Sequence, residues 1–225
     1  MEVNNPLYSK QGIHVITTIF TIEKGMIKVL LIKRKNNPYK NMWSLVGGAL
    51  YNNEDLEDGV SREIYEKTGI KDINLYFYNI FGKVNRSPVM RMIAICYIGV
   101  IDNKKVSILK DTLKTSNADW FTIDNIPPLA YDHNEIIEGA LNELKIKIIN
   151  TDILKSLFPM GFTIPEIQKV YESILGKIYD RRNFRKKLLN TNLIMDTNKT
   201  IIFEGKKPAK VYKFKNKKEN KNVMF

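Results

Sequence analysis

One cysteine occurs in 225 residues, which excludes an internal disulfide. Cys96 lies in the apolar run RMIAICYIGVI, so it is predicted to be buried in a strand rather than reactive. A reducing cytoplasm suits such a chain. No apolar run approaches the roughly 20 residues that span a bilayer. The opening MEVNNPLYSK has no basic stretch followed by an apolar one, so neither secretion nor membrane insertion is expected. Internal repeats are also missing. The most informative deficit is of acid near the end. Residues 1–150 carry 19 Lys/Arg against 17 Asp/Glu, a net of +2, whereas residues 151–225 carry 17 against 7, a net of +10. Charge confined to one third predicts a polyanionic partner for that third, or else a lysine-rich solvated surface. A hydrophobic content of 44% is enough for one large or two modest domains.

Up to Asn150, strand-like and helix-like patterns alternate. GIHVITTIFTI and MIKVLLIKR are two β-branched runs joined by the turn Glu23-Lys24-Gly25, which predicts neighbouring strands. A loop follows, then a short apolar run over Trp43–Val46 and a Gly-Gly break. Leu56, Val60 and Ile64 repeat at helical spacing, Asp55 with Asp58 resembles a capping arrangement, and Gly69 suits a left-handed stop, so residues 55–68 are predicted helical. Further strands are expected in NLYFYNIF, VMRMIAICYIGVI and ADWFTI, and a second amphipathic helix from His133 to Ile149. Asp132 with Glu135 fits a capping box at its start.

Beyond Asn150 the pattern changes to helical ILKSLF, TIPEIQKVYESIL and RRNFRKKLLN, then strand-like NLIMD and PAKVYKF around the turn-rich link Glu204–Pro208. Thr163 and Asp180 are the expected N-caps, with Pro165 and Glu166 early in the second helix. Three helices, a strand, a basic loop and a strand is a winged helix-turn-helix order. In the third helix Phe184, Leu188 and Leu189 form the expected inward stripe, leaving Arg181, Arg182, Asn183, Arg185 and Lys186 outward for DNA. Arginine and asparagine reach base edges, and lysines mostly meet phosphates. Thr163 and the wing lysines Lys206, Lys207 and Lys210 complete the predicted DNA-binding set. Residues 216–225 are expected to be a mobile basic tail.

At about 100° per residue, Glu63, Glu66 and Lys67 share one face of the first helix, with Glu54 just ahead of it. Clustered carboxylates either hold a hard cation such as Mg²⁺ against a phosphate or are merely a solvated face. Five residues separate Gly48 from Glu54 and seven more separate Glu54 from Arg62-Glu63; Ile64, Tyr65, Glu66, Lys67, Thr68, Gly69 and Ile70 follow. Apart from Lys67, this run resembles the Nudix box of hydrolases that cleave nucleoside diphosphates linked to another group. The likeness extends over residues 10–150 and implies an α/β (α+β) fold, the Nudix α/β/α sandwich with a mixed sheet. It implies Glu63 and Glu66 as catalytic residues if the domain is active, and Glu54, Glu63 and Glu66 as ligands of a weakly held Mg²⁺. Lys67 stands where the pattern has a metal-binding glutamate, so its ammonium removes one ligand and repels the cation. Binding without hydrolysis is the expectation, with Gly48, Arg62, Lys67, Arg86, Arg91 and His133 contacting the effector.

With its basic end, the whole chain resembles the Nudix-related transcriptional regulators, in which a Nudix-like sensor precedes a small winged helix. The resemblance implies an effector domain over 1–150 and a DNA-binding domain over 151–215. It further implies a cytoplasmic homodimer on double-stranded DNA, no cofactor needed for DNA binding, and an effector that is an ADP-ribose-like nucleotide, a sugar or a sugar phosphate. The alternatives are a Mg²⁺-dependent pyrophosphohydrolase with an accessory winged helix and an RNA-associated Nudix protein.

Overall fold

The computed structural model describes residue 5 and residues 9–202 and 207–215; Lys206 and the 216–225 tail therefore lie outside the described residues. Two compact units emerge. The first takes the described residues of Met1–Phe20, Lys28–Gly99 and Lys104–Ala140, and the second those of Thr21–Ile27, Val100–Asn103 and Leu141–Phe225.

The β-branched runs become β1 (Gly12–Glu23) and β2 (Met26–Arg34), followed by β3 (Trp43–Ser44), β4 (Val46–Ala49), β5 (Leu75–Phe81), β6 (Met92–Val100) and β7 (Thr115–Thr122). They form one mixed sheet in the order β3-β2-β1-β6-β5, with β4 paired to β1 and β7 to β2. Val15–Thr21 of β1 and Val29–Ile32 of β2 are buried without alternation, the mark of strands covered on both faces. Fully burying one such Ile, Leu or Phe contributes about 1.5–3 kcal/mol, so Ile19, Phe20, Leu30 and Leu31 anchor the sheet. Cys96 is buried in β6 as expected.

The short apolar run Trp43–Val46 contributes to two strands, β3 on β2 and β4 on β1. The break falls at Leu45, whose N–H goes to His133 Nδ1 at 3.0 Å rather than to a strand neighbour. Helix α1 (Leu56–Thr68) ends at Gly69 with φ 74°, its N–H bonded to the Tyr65 carbonyl, as the left-handed stop requires. Asp55 makes no side-chain cap, so the expected capping arrangement is absent there. Helix α2 spans His133–Asn150.

In the second unit ILKSLF is a short 3-10 turn, Ile153–Leu157, rather than an α-helix. Helix α3 (Ile164–Leu175) carries the predicted capping box: Glu166 N–H donates to Thr163 Oγ1 at 3.3 Å and Thr163 N–H to Glu166 Oε2 at 3.2 Å. Helix α4 (Arg181–Asn190) is capped by Asp180. The hairpin of β8 (Ile194–Ile201) and β9 (Ala209–Phe214) follows, and Phe162 exchanges two backbone bonds with Tyr212. Among the described residues no helix is long and apolar enough to cross a membrane.

Candidate functional site

Helix α1 packs against β4, and that contact shapes the site. A Cβ on Gly48 would lie 2.4 Å from the Glu63 carboxyl atoms, so only glycine lets β4 approach so closely. Glu63 is 2% exposed and Lys67 7%, which makes the box face of α1 an interior surface rather than a solvated one.

Glu54, Glu63 and Glu66 each already face a cation. Arg62 binds Glu54 bidentately, Nε to Oε2 and Nη2 to Oε1, both 2.7 Å. Its Nη1 donates to Glu63 Oε1 at 2.7 Å, and its Nη2 to the Ala49 carbonyl at 2.9 Å. The guanidinium lies 3.8 Å from the Tyr51 ring centroid, a cation–π contact. Lys67 Nζ stands 2.9 Å from Glu63 Oε2 and donates to the Gly47 carbonyl. Lys114, from the loop before β7, reaches Glu66 Oε2 at 2.9 Å and lies 3.8 Å from Glu63 Oε1. Three anions and three cations leave the cluster neutral.

The charges move the titrations accordingly. The Arg62 hydrogen bond holds Glu54 down at about 2. Burial raises Glu63, but the charges of Lys67 and Lys114 and the Arg62 bond outweigh it, so its carboxyl lies below the ordinary value. Burial pushes the Lys67 amine down against the pull of Glu63.

Mg²⁺ demands near-octahedral oxygen at about 2.0–2.1 Å. The residues present do not fit it, because an ammonium sits against the Glu63 carboxylate and the other two carboxylates are bonded to protein cations. Among the described residues there is no group of three or more His, Cys, Asp or Glu placed to hold a metal ion.

Beside the box lies a cleft of about 530 Å³, lined among others by His14, Arg34, Gly48, Glu63, Lys67, Lys114, Tyr131 and His133, of a size typical for a small-molecule site. His133 Nδ1 accepts the Leu45 N–H, and burial, with Arg86 and Arg34 nearby, lowers its pKa to about 3. The ring is therefore neutral, with its proton on Nε2 as a donor. Burial and the charges of Arg86 and Lys67 lower His14 to about 4. Arg34 donates Nε–H to the Pro38 carbonyl at 2.9 Å and lies 5.1 Å from the Tyr131 ring centroid.

Of the predicted effector contacts, Gly48, Lys67 and His133 line this cleft, whereas Arg62, Arg86 and Arg91 do not. Arg86 is buried in a bidentate pair with Asp132, at 2.9 and 2.8 Å. That pair also displaces the capping box expected of Asp132 with Glu135. Arg91 is tied to the carbonyls of Gly82 and Lys83 at 2.6 and 3.0 Å. Sequence reasoning missed Arg34, Lys114, His14 and Tyr131. Gly12, His14 and Ile16, like Ile32 and Arg34, fall two apart on one strand face, so that spacing would have found His14 and Arg34. Lys114, on an irregular loop, leaves no such signal.

In the second unit, Phe184 and Leu188 are buried while Arg181, Arg182, Asn183, Arg185 and Lys186 are exposed. Leu189, expected inward, is 40% exposed. The buried Phe184 ring meets Tyr171 edge-on at 5.4 Å, and Gln168 and Glu172 fix the α3–α4 turn by hydrogen bonds to the Tyr179 carbonyl and N–H at 2.8 and 2.9 Å. A rigid turn thus presents a cationic helix, the geometry that enters a major groove. Thr163 is fully buried with its hydroxyl used in the cap, which removes it from the DNA-contacting set. Lys207 is exposed, and Lys210 pairs with Asp196 at 2.7 Å.

Comparisons with known proteins agree with this geometry. The NUDIX domain profile matches residues 12–140, and that of the NrtR DNA-binding winged helix domain matches residues 155–214. The ADPR responsive transcriptional repressor NtrR of Acinetobacter baylyi is 30% identical over 200 residues, covering 87% of this chain and 79% of that protein. The crystal structure of Shewanella oneidensis NrtR complexed with a 27mer DNA superimposes with a TM-score of 0.76 at 27% identity, over 90% of this chain and 93% of that one. The NUDIX domain of the same protein complexed with ADP ribose gives a TM-score of 0.58 at 26% identity, over 64% of this chain and 94% of that one. With a Nudix domain followed by an NrtR-type winged helix, this chain belongs to the Nudix-related transcriptional regulators.

Proposed function

We propose that this protein is an ADP-ribose-responsive transcriptional repressor that binds its effector without hydrolysing it. The observation that carries this reading is the buried Lys67 ammonium, 2.9 Å from Glu63 Oε2, at the position where the box otherwise supplies a metal ligand. A recognition site is retained beside it, in a cleft whose lining includes the Nε2–H donor of His133. Mg²⁺ bound to a Nudix box would supply the Lewis acid for diphosphate cleavage; here the chain's own cations hold those carboxylates. Duplex DNA is gripped by Arg181, Arg182, Asn183, Arg185 and Lys186 of α4, with Lys207 on the wing. No metal is required for this contact. Two copies bind paired half-sites as a cytoplasmic homodimer, and ADP-ribose favours a dimer geometry with weaker operator affinity by about 1–3 kcal/mol.

The test combines two assays on the full-length protein. Duplexes from the region upstream of its own gene are titrated with and without ADP-ribose, and ADP-ribose turnover is followed with Mg²⁺ or Mn²⁺. Effector-sensitive DNA binding with negligible turnover supports the reading. Robust turnover that collapses in Glu63→Gln, with no specific DNA binding, would establish the hydrolase instead.

A further inference from the structure

Three cations line the cleft, Lys67 from the box with Arg34 and Lys114 from outside it, and they differ in how tightly they are held. Lys67 is buried and doubly fixed, by Glu63 and by the Gly47 carbonyl. Lys114 has a side chain 39% exposed, and among the described residues its ammonium hydrogen-bonds to Glu66 alone, itself 36% exposed. Arg34 uses Nε on the Pro38 carbonyl, and its Nη atoms have no partner among the described residues. All three line one cleft. The fields of both Lys114 and Arg34 reach Lys67, which places the three charges close together. Against them the lining offers one carboxylate, Glu63, and two neutral imidazoles, so the lining carries a net charge of +2.

We infer that Arg34, Lys67 and Lys114 form a metal-free anion site for the diphosphate of the effector. Lys67 is the fixed charge, standing where a cation would stand, and Arg34 offers a planar pair of donors matched to phosphate oxygens. Lys114 is the exchangeable arm: it leaves the half-exposed Glu66 for a phosphate oxygen, trading one charge-assisted bond for another at little cost. Arg62, although cationic, is committed to Glu54, Glu63 and the Ala49 carbonyl and takes no part. This inference rests on the effector reading above, but it concerns the anion and not the nucleoside. Neither Arg34 nor Lys114 belongs to the box. A site assembled in this way takes diphosphates and nucleoside diphosphates in the absence of divalent cations, which a box that works through Mg²⁺ does not.

Isothermal titration of the full-length protein with ADP-ribose and with inorganic pyrophosphate, each in EDTA and in Mg²⁺, tests this. Both ligands are expected to bind in EDTA. Lys114→Met and Arg34→Met are each expected to lose at least about tenfold in affinity for both, the loss of one charge-assisted contact. Lys114→Arg is expected to retain most of the affinity, and Lys71→Met, the same charge removed outside the cleft, to retain all of it. Thermal unfolding of each variant separates lost contacts from lost fold. Binding that requires Mg²⁺, binding unchanged in both methionine variants, or no binding of either ligand would overturn the anion site. Metal-free binding of pyrophosphate without binding of ADP-ribose would leave the anion site standing and overturn the effector reading alone.

Discussion

Replacing Lys67 by glutamate inverts the one charge that separates this box from a metal-binding one. In the parent the charge cluster is neutral, with Glu54, Glu63 and Glu66 against Arg62, Lys67 and Lys114. The variant carries four carboxylates against two cations, with the new one placed beside Glu63, which is only 2% exposed. Breaking a buried ion pair by removing one partner costs about 3–5 kcal/mol, and the added like charge pushes toward the upper end. A domain of 150–250 residues shifts by about 2–4 °C per kcal/mol, so the Nudix transition of Lys67→Glu in EDTA is expected roughly 10 °C or more below the parent. Mg²⁺ or Mn²⁺ at millimolar concentration then restores much of the loss, because the variant has the ligand set the parent lacks, and ADP-ribose turnover appears with it. The parent midpoint does not respond to metal. Differential scanning calorimetry with and without EDTA reads the midpoints, and an ADP-ribose hydrolysis assay reads the turnover. If Lys67→Glu were as stable as the parent in EDTA, or if the parent itself gained stability with Mg²⁺, the reasoning about the ammonium would be wrong.

Arg86→Met strands Asp132 in a site where the two side chains are 1% and 9% exposed, so denaturant unfolding should reveal a loss of about 3–5 kcal/mol. In Gly48→Ala, the new Cβ 2.4 Å from the Glu63 carboxyl must push β4 and α1 apart, and calorimetry should register a clear destabilisation with weakened effector binding. His133, held near 3, stays neutral in the fold while the unfolded chain takes up a proton below about 6.5, so stability present above pH 6.5 is lost as pH falls toward 3. The slope is about 1.4 kcal/mol per pH unit for one such group, and His133→Asn should remove that component from the pH dependence of unfolding between pH 6.5 and 5. Arg182→Ala and Lys186→Ala should differ in kind: the lysine change weakens all duplexes and flattens the salt dependence by about one counterion, whereas the arginine change also relaxes sequence preference by about 1–3 kcal/mol.

Local rules made much of this architecture readable. Uninterrupted β-branched runs gave β1 and β2, helical spacing with a terminal glycine gave α1, and a capping box gave α3, because each depends on residues a few positions apart. What escaped depends on distant partners. The apolar run Trp43–Val46 shows no internal break until the Leu45 N–H finds His133, 88 residues away. Arg86 reads as a free phosphate contact until Asp132, 46 residues away, closes on it. Lys67 stood out because it broke a fixed spacing. Lys114 had no spacing to break, and only the fold brings it from its loop onto Glu66.

Operator release in EDTA tests the central claim most directly: the protein is bound to duplex DNA from the region upstream of its gene, ADP-ribose is added without divalent metal, and both bound DNA and intact ADP-ribose are followed. The expected result is dissociation of the DNA while the nucleotide stays whole. DNA that remains bound until Mg²⁺ is supplied and ADP-ribose is consumed would contradict it.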